Sequence, residues 1–340
     1  MNDRRVSPGL LVGAGVLSAL GAWLWSRRAR TYPLLNPALR SPLLRLRSPG
    51  LVPALLPLMG RRAPGLPALD GVTVERREVL GPGDAPPVPV YVYRPEKADA
   101  RRPAVLYIHG GGYVIGSATH SHAECAGHAR DLGAVVVSPE YRLAPGTPFP
   151  GPLEDVYAAL KWLCTPAVSG LNTDPRRVAL VGESAGGGLA ASLAALALDR
   201  GEVCPVFQLL LYPMLDDRTV LRADHGGRGE FVWTPTSNRL GWSAYLGHPP
   251  GERAPAYAAA ARREDLRGLP PAWIGVGSLD LFYEEDRDYA RRLNAAGVPC
   301  TFYEVPGAYH GFPNFSAGAA PTRAFARAGL DALRAGLGLD

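Results

Sequence analysis

The sequence predicts an α/β protein with a mostly parallel central sheet, helices on both faces and a small helical cap. Short, wholly apolar segments such as Ala104–Ile108 and Val178–Val181 are typical of strands buried on both faces. Segments with helical periodicity separate them, and strands that alternate with helices pair mainly in parallel. At 340 residues, 47% hydrophobic and 20% charged, the chain is long enough for one large core.

Each element follows from its local pattern. Alternation of apolar and polar residues predicts two early strands, Val72–Glu75 and Val88–Tyr93, joined by a Gly- and Pro-containing turn. Residues 215–260 lose the strand–helix rhythm and are predicted to be an irregular insertion. The remaining predicted strands are Ala104–Ile108, Ala134–Val137, Val178–Val181, Val206–Leu211, Trp273–Val276 and Thr301–Val305. The predicted helices are His122–Leu132, Leu153–Leu163, Leu189–Leu198, Glu284–Ala296 and Thr322–Leu337.

The N-terminal segment has the composition of a membrane-spanning helix. Val6–Ser26 contains no charged residue, and as a helix its 21 residues would span about 31 Å, close to the thickness of a bilayer core. Trp23 and Trp25 precede an arginine cluster at one end, as at a membrane interface. An uncleaved membrane anchor is the first interpretation; a packed or surface-lying helix and a cleaved signal are the alternatives. Eight prolines in residues 31–70 predict only short helical pieces there.

Charge distribution and cysteine spacing argue against nucleic-acid binding and against metal binding. Residues 1–70 hold ten arginines against two aspartates, so the remaining chain is mildly acidic although the net charge is +5. This distribution gives no reason to expect a nucleic-acid partner. The heavier arginine load after the hydrophobic span favours a cytoplasmic catalytic domain. The four cysteines have no metal-binding spacing, which favours free buried thiols over a disulfide pair, and no metal site is expected.

The segment Arg177–Gly188 carries the strongest chemical motif. Gly182, Ser184 and Gly186 have the spacing G-x-S-x-G between a predicted strand and a predicted helix, the context of a nucleophile elbow. Such a turn presents a serine hydroxyl at the edge of the sheet, and the amide of Ala185 lies at a helix N-terminus, where it faces a developing oxyanion. The alternative is a Gly-rich turn that serves close packing alone.

A second glycine-rich segment, His109–Gly112, directly follows the strand Ala104–Ile108. Successive glycines let the backbone approach a substrate, and the amides of Gly111 and Gly112 together with Ala185 predict a three-donor oxyanion hole. A phosphate-binding loop is the alternative, but neither phosphate-loop motif is present. His109 is expected to position this loop and not to transfer protons.

A serine nucleophile needs a base and an acid that orients the base. Of the three histidines after Ser184, two lie in the irregular insertion, whereas His310 lies in a loop just past the last predicted strand. His310 is therefore the expected base. Asp280 follows the strand Trp273–Val276 and is the expected acid. Four later carboxylates are expected on a solvated helix face: Glu284, Glu285, Asp286 and Asp288.

Five ordered motifs together resemble the hormone-sensitive lipase family of α/β-hydrolases, which includes arylacetamide deacetylases and bacterial carboxylesterases. The resemblance covers about residues 72–335, with Glu183 where the family more often has Asp. It implies Ser184 as nucleophile, His310 as base and Asp280 as acid. The motifs are His109–Gly112, Tyr141–Pro145 with Pro148–Pro150, Gly182–Gly187, Asp280 and His310–Phe312.

The resemblance also implies the domain organisation and the activity. Residues 1–30 are expected to form a hydrophobic segment, 31–70 an N-terminal part of the cap, and 71–340 the catalytic domain with a cap insertion at about 215–260. The expected activity is hydrolysis of small to medium acyl esters without a cofactor; an amide or lactone deacylase and a non-catalytic binding protein are the alternatives. The expected partners are a small-molecule ester and, through Val6–Ser26, a membrane; the expected location is membrane-associated or otherwise cytoplasmic.

Overall fold

The computed structural model describes residues 30–45, 70–96 and 101–339. The predicted membrane span Val6–Ser26 and residues 46–69 of the predicted N-terminal cap segment lie outside these ranges. None of the helices within the described residues combines the length and apolar composition needed to cross a bilayer. Residues 32–45 form three short 3-10 turns, each with a proline at its first or second position, in agreement with the expectation of short helical pieces.

The described residues form a mixed sheet of eight strands in the order β1-β2-β4-β3-β5-β6-β7-β8. β1 pairs antiparallel with β2, and β2 with β4, whereas all later pairings are parallel. The predicted fold class is thereby confirmed. The strands are β1 (Val72–Val79), β2 (Val88–Pro95), β3 (Arg102–Ile108), β4 (Val135–Pro139), β5 (Thr173–Glu183), β6 (Phe207–Leu211), β7 (Ala272–Gly277) and β8 (Cys300–Val305).

Helices cover both faces of this sheet. The longer ones end as the sequence signals suggest; α4, for example, ends at Arg200, and Gly201 adopts the left-handed conformation of a helix C-terminus. The described α-helices are α1 (His122–Leu132), α2 (Gly151–Leu163), α3 (Pro166–Ser169), α4 (Ala185–Arg200), α5 (Pro235–Leu246), α6 (Tyr283–Ala295), α7 (Phe312–Phe315) and α8 (Ala320–Gly336).

The sheet divides the hydrophobic core into two clusters. Leu106 and Ile108 of β3 pack in one cluster with α2, α4 and α6, whereas Val105 and Tyr107 pack in the other with α1 and α8. This division follows from the two-residue period of a strand, which sends successive side chains to opposite faces. Because both faces are covered, the central strands consist almost entirely of apolar residues.

Two expectations need correction. Residues 215–260 are not wholly irregular, because they contain α5, with the Thr234 side chain capping its N-terminus and Pro235 in its first turn. The cysteines are free, as expected, but only Cys125 is fully buried and Cys204 is exposed. Their burial differs because Cys125 lies on the inner face of α1, whereas Cys204 lies in the exposed link between α4 and β6.

Candidate active site

Ser184 occupies a strained turn between β5 and α4. Its backbone has φ 54° and ψ −121°, outside the conformations that residues with a side chain normally adopt. The turn is held because the Ser184 amide donates to the carbonyl of Leu211 at 2.9 Å. A Cβ at Gly182 would overlap the backbone of Gly186, and one at Gly186 would overlap the backbone of Ile108. Only glycine therefore fits at positions 182 and 186, two residues before and after Ser184.

Ser184, His310 and Asp280 form a continuous hydrogen-bonded series. The Ser184 Oγ atom lies 2.9 Å from His310 Nε2, and His310 Nδ1 lies 2.8 Å from Asp280 Oδ2. A carboxylate can only accept, so we assign the proton on Nδ1 to His310 and leave Nε2 free to accept from the Ser184 hydroxyl. All three side chains are buried, and Asp280 is completely so.

The loops that carry the acid and the base are hydrogen-bonded to each other. The Leu279 amide, next to Asp280, donates to the carbonyl of Ala308 at 2.9 Å. Asp280 is held in its own turn, where its Oδ1 atom accepts the Phe282 amide at 3.0 Å. A Cβ at Gly277 would overlap the Ala308 carbonyl. The two loops can therefore approach closely enough for Asp280 to reach His310.

Aromatic rings surround the His310 imidazole, and sequence analysis did not identify them. Tyr212 and Phe282 each contact it edge-on at 5.1 Å between ring centroids, and Trp233 lies at 6.1 Å. Trp233 comes from the 215–260 insertion and Tyr212 from the loop after β6. These contacts restrict rotation of the imidazole. In the sequence, only the aromatic residues of the 215–260 insertion indicated that aromatic rings line the site.

The glycine-rich loop after β3 is tightly constrained. Gly111 and Gly112 have φ 126° and 59°, values that disfavour any other residue. A Cβ at Gly111 would overlap the Ile115 carbonyl, and one at Gly112 would overlap the Trp233 ring. Among the described residues, no protein acceptor is found for either amide. Ala185, the first residue of α4, has an amide that the helix itself cannot satisfy.

His109 is part of the support of this loop. Its ring stacks on Tyr141 with centroids 4.2 Å apart, and its Nδ1 atom donates to the Gly110 carbonyl at 2.8 Å. The Tyr141 hydroxyl donates to the His109 carbonyl at 2.8 Å. Burial lowers the pKa of His109 to about 4, so the imidazole is neutral at physiological pH. These contacts agree with a positioning function.

Four of the six predicted site residues line one cavity of about 300 Å³, namely Gly111, Gly112, Ser184 and His310. Asp280 reaches this cavity through His310, and Ala185 directly follows the serine. Trp233 and the largely exposed Phe315 form further parts of the wall. Within the described residues, no three His, Cys, Asp or Glu side chains are grouped so as to hold a metal ion.

The expectation that four carboxylates after Asp280 lie on a solvated helix face is wrong for two of them. Glu285 is 3% exposed and Asp286 is fully buried, whereas Asp288 forms an exposed ion pair with Arg291 and the half-buried Glu284 pairs with Arg228 and Arg287. Glu285 and Asp286 lie three or four residues before the buried Tyr289, on the inward stripe of the helix. This helical spacing predicts that both side chains face the core despite their charge.

The two buried carboxylates differ in their partners. Glu285 accepts the backbone amides of Leu215 and Asp216 at 2.7 and 3.1 Å, and the Thr219 hydroxyl. Neither oxygen of Asp286 has a hydrogen-bond partner among the described residues. Burial raises the pKa of both groups well above its usual range, and for Asp286 the neighbouring Glu285 and Asp280 add to the effect.

Comparison with known proteins identifies the family of this chain. A family model described as alpha/beta hydrolase fold matches residues 105–314. Esterase LipI of Mycobacterium tuberculosis is 36% identical over 257 residues, which cover 74% of this chain and 79% of the relative. Arylacetamide deacetylase of Bos taurus is 30% identical, covering 66% of this chain and 72% of the relative.

Solved structures give the same result. A bacterial heroin esterase is 36% identical and matches with a TM-score of 0.80 over 90% of this chain and 99% of its own. Sequence motifs, sheet topology and these similarities all point to one group of proteins. The chain therefore belongs to the hormone-sensitive lipase family of α/β-hydrolases, a family of esterase-type enzymes.

Proposed function

We propose that this protein hydrolyses carboxylic esters of small to medium acyl chains with Ser184 as nucleophile, His310 as base and Asp280 as orienting acid. The observation that carries the proposal is the buried series from Ser184 Oγ to His310 Nε2 and from His310 Nδ1 to Asp280, with distances of 2.9 and 2.8 Å. This arrangement can move a proton away from the serine while the imidazole keeps its orientation.

The reaction follows in two steps. Ser184 Oγ attacks the ester carbonyl as His310 takes its proton, and the resulting oxyanion accepts hydrogen bonds from the amides of Gly111, Gly112 and Ala185. The tetrahedral intermediate collapses, and His310 returns the proton to the departing alcohol. Water, deprotonated by His310, then attacks the acyl-enzyme. The second collapse releases the acid and restores the Ser184 hydroxyl.

The size of the cavity supports the proposed range of substrates. A volume of about 300 Å³ bounded by Trp233 and Phe315 suits a compact ester better than a long acyl chain. We propose that residues 215–260, which supply Trp233, form part of a cap over the site together with residues 31–70. An amide of an arylamine belongs in the same substrate panel, since arylacetamide deacetylase is among the relatives.

Labelling with a fluorophosphonate tests the proposal directly. We expect the reagent to modify Ser184, and Ser184→Ala to reduce p-nitrophenyl butyrate hydrolysis by about a million-fold, because the nucleophile is removed. Ser192→Ala, which changes a buried serine two turns further along α4, is the matched control and should retain both labelling and activity. Turnover at the wild-type rate in a purified Ser184→Ala sample would contradict the proposal, and absence of labelling in the wild type would favour a non-catalytic binding protein.

A further inference from the structure

Glu183, the last residue of β5, lies directly before Ser184 and joins separate parts of the site. Its Oε2 atom accepts the Tyr212 hydroxyl at 3.1 Å, and its Oε1 atom lies 3.4 Å from the Ser121 hydroxyl. The Glu183 side chain also lies close to Gly110, where an added Cβ would come within 3.3 Å of Glu183 Cγ. One side chain therefore accepts from two hydroxyl groups and packs against a third loop.

Two of these three segments adjoin the catalytic groups. Gly110 immediately precedes the two proposed oxyanion donors, and a Cβ there would come within 3.0 Å of the Glu183 carbonyl and 3.3 Å of Ser184 Cβ. Tyr212 contacts the His310 ring edge-on at 5.1 Å. Ser121 is the last residue before α1. The Glu183 carboxylate thus lies between β5, the loop His109–Gly112 and the aromatic rings that surround His310.

We propose that Glu183 is a positioning residue, which holds the His109–Gly112 loop and Tyr212 in register with Ser184. A carboxylate suits this position because it offers about four lone-pair sites and no competing proton, so both hydroxyl donors can be satisfied together. The consequence is a fixed geometry between the Gly111 and Gly112 amides and the reacting carbonyl. This inference rests on the proposed esterase mechanism, and it concerns stabilisation of the transition state more than binding of the ester.

The choice of variant follows from the surroundings. Glu183 and Tyr212 also border a second cavity of about 350 Å³, between α1 and α8, so truncation to alanine would join two empty spaces and lower stability. Glu183→Gln keeps the shape but brings an NH2 group against one of the two hydroxyl donors. Tyr212→Phe keeps the ring against His310 and removes one of the donors. Glu183→Asp keeps the carboxylate on a shorter side chain.

The test measures kcat, KM and the affinity for a trifluoromethyl ketone, which adds the serine oxygen and forms an oxyanion like that of the intermediate. We expect Glu183→Gln to lower kcat by about ten-fold or more, less than the hundred-fold cost of losing an oxyanion donor outright. KM should change by less than about three-fold, and the ketone should bind more weakly by the same factor as kcat falls. Tyr212→Phe should move both quantities in the same direction, and Glu183→Asp should recover part of the loss.

Glu140→Gln is the matched control. Glu140 is another part-buried carboxylate, accepting the Ser117 hydroxyl and the Ala118 amide at 2.8 and 2.9 Å. Glu140→Gln should alter the melting temperature and leave both kcat and the ketone affinity unchanged. The inference is wrong if Glu183→Gln and Tyr212→Phe retain wild-type kcat and ketone affinity, or if Glu140→Gln causes the same losses. Wild-type labelling by a fluorophosphonate separates the two proposals, because the esterase mechanism stands when labelling occurs even if this inference fails.

Discussion

At the scale of single residues, five neighbouring carboxylates differ in burial and in their partners. These differences determine which of them can orient the proposed base. Asp280 receives the imidazole N–H of His310 at 2.8 Å and is fully buried. Glu285 is engaged by backbone amides of a different segment, and Asp286 has no described partner. Glu284 and Asp288 are paired with arginines at the surface. Only Asp280 is therefore in a position to orient the proposed base.

Asp280→Asn should lower kcat by about four orders of magnitude, because an amide favours the wrong tautomer of His310. The fold should persist, since the asparagine is isosteric and its oxygen can still accept the Phe282 amide. Glu284→Gln and Asp288→Asn should each cost less than about ten-fold, because exposed ion pairs contribute little. Assays of the series on one short-chain ester, each with a melting curve, check this assignment.

The two buried carboxylates should affect stability instead of activity. Glu285→Gln keeps one acceptor oxygen for the two backbone amides but places an NH2 group against the Thr219 hydroxyl, which costs about 1–3 kcal/mol of unfolding free energy. Asp286→Asn should change stability little, because neither Asp286 oxygen has a hydrogen-bond partner among the described residues and burial already disfavours the charged form. If one of these variants loses activity while Asp280→Asn retains it, the acid is assigned to the wrong residue.

At the scale of elements, the site consists of loops at the carboxyl ends of parallel strands. β5 ends at the residue before Ser184, the loop after β7 carries Asp280, and the loop after β8 carries His310. In an open parallel sheet these strand ends lie at one edge, which is why ligands collect there. The loop after β3 approaches from the same edge and lies against the insertion at Trp233. The proposed substrate cavity is thus formed between loops that are attached directly to the strands of the sheet.

Gly111→Ala should reduce kcat by about a hundred-fold or more, because the new Cβ overlaps the Ile115 carbonyl and displaces the amide donor. The sheet and helices should still form, since the loop lies outside them. Gly127→Ala is the control: it adds a Cβ inside α1, where nothing lies within 4 Å, and should leave activity unchanged. Normal kcat and melting temperature for Gly111→Ala would place the oxyanion donors elsewhere.

At the scale of the whole molecule, buried histidines make the stability depend on pH. His109 is 1% exposed, and burial lowers its pKa to about 4, whereas an unfolded histidine titrates near 6.5. Between these values the unfolded chain binds a proton that the folded protein does not. The free energy of unfolding contributed by this group is therefore complete above pH 6.5 and is lost as the pH falls toward 4.

His109→Asn should remove this dependence. The difference in unfolding free energy between wild type and variant should decrease by up to about 3 kcal/mol from pH 6.5 to pH 4, as follows from 1.4 kcal/mol per pH unit. Urea denaturation at several pH values measures it, and taking the difference between the two proteins removes the contribution of the buried carboxylates. A difference that is constant across this range would contradict a neutral, buried His109.

The N-terminal segment remains a prediction from sequence. If Val6–Ser26 spans a bilayer, full-length protein in membrane fractions should resist extraction with carbonate, because the uncharged helix stays in the hydrocarbon core. A truncated protein that begins at Thr31 should be released into the supernatant. Recovery of the full-length protein in the supernatant without detergent would favour a packed helix or a cleaved signal.

The sequence by itself determined the fold class, the family and a short set of candidate residues. Its short apolar strands and its helices have local periods that follow from backbone geometry, so they can be recognised without knowledge of distant contacts. Ser184, Asp280 and His310 could be nominated because each closely follows a predicted strand in a parallel sheet. The same local character explains why the existence of most elements was predicted more accurately than their exact ends.

Only the tertiary structure decided which side chains meet across the chain. Tyr212 and Trp233 reach His310 from segments about 80 to 100 residues earlier, and Glu183 binds Tyr212, 29 residues away. The amides that Glu285 accepts lie 69 and 70 residues away in the chain. Such contacts depend on how whole helices, strands and loops pack together, so no local sequence pattern predicts them. Local patterns therefore identified the proposed nucleophile, base and acid, whereas their surroundings followed only from the assembled core.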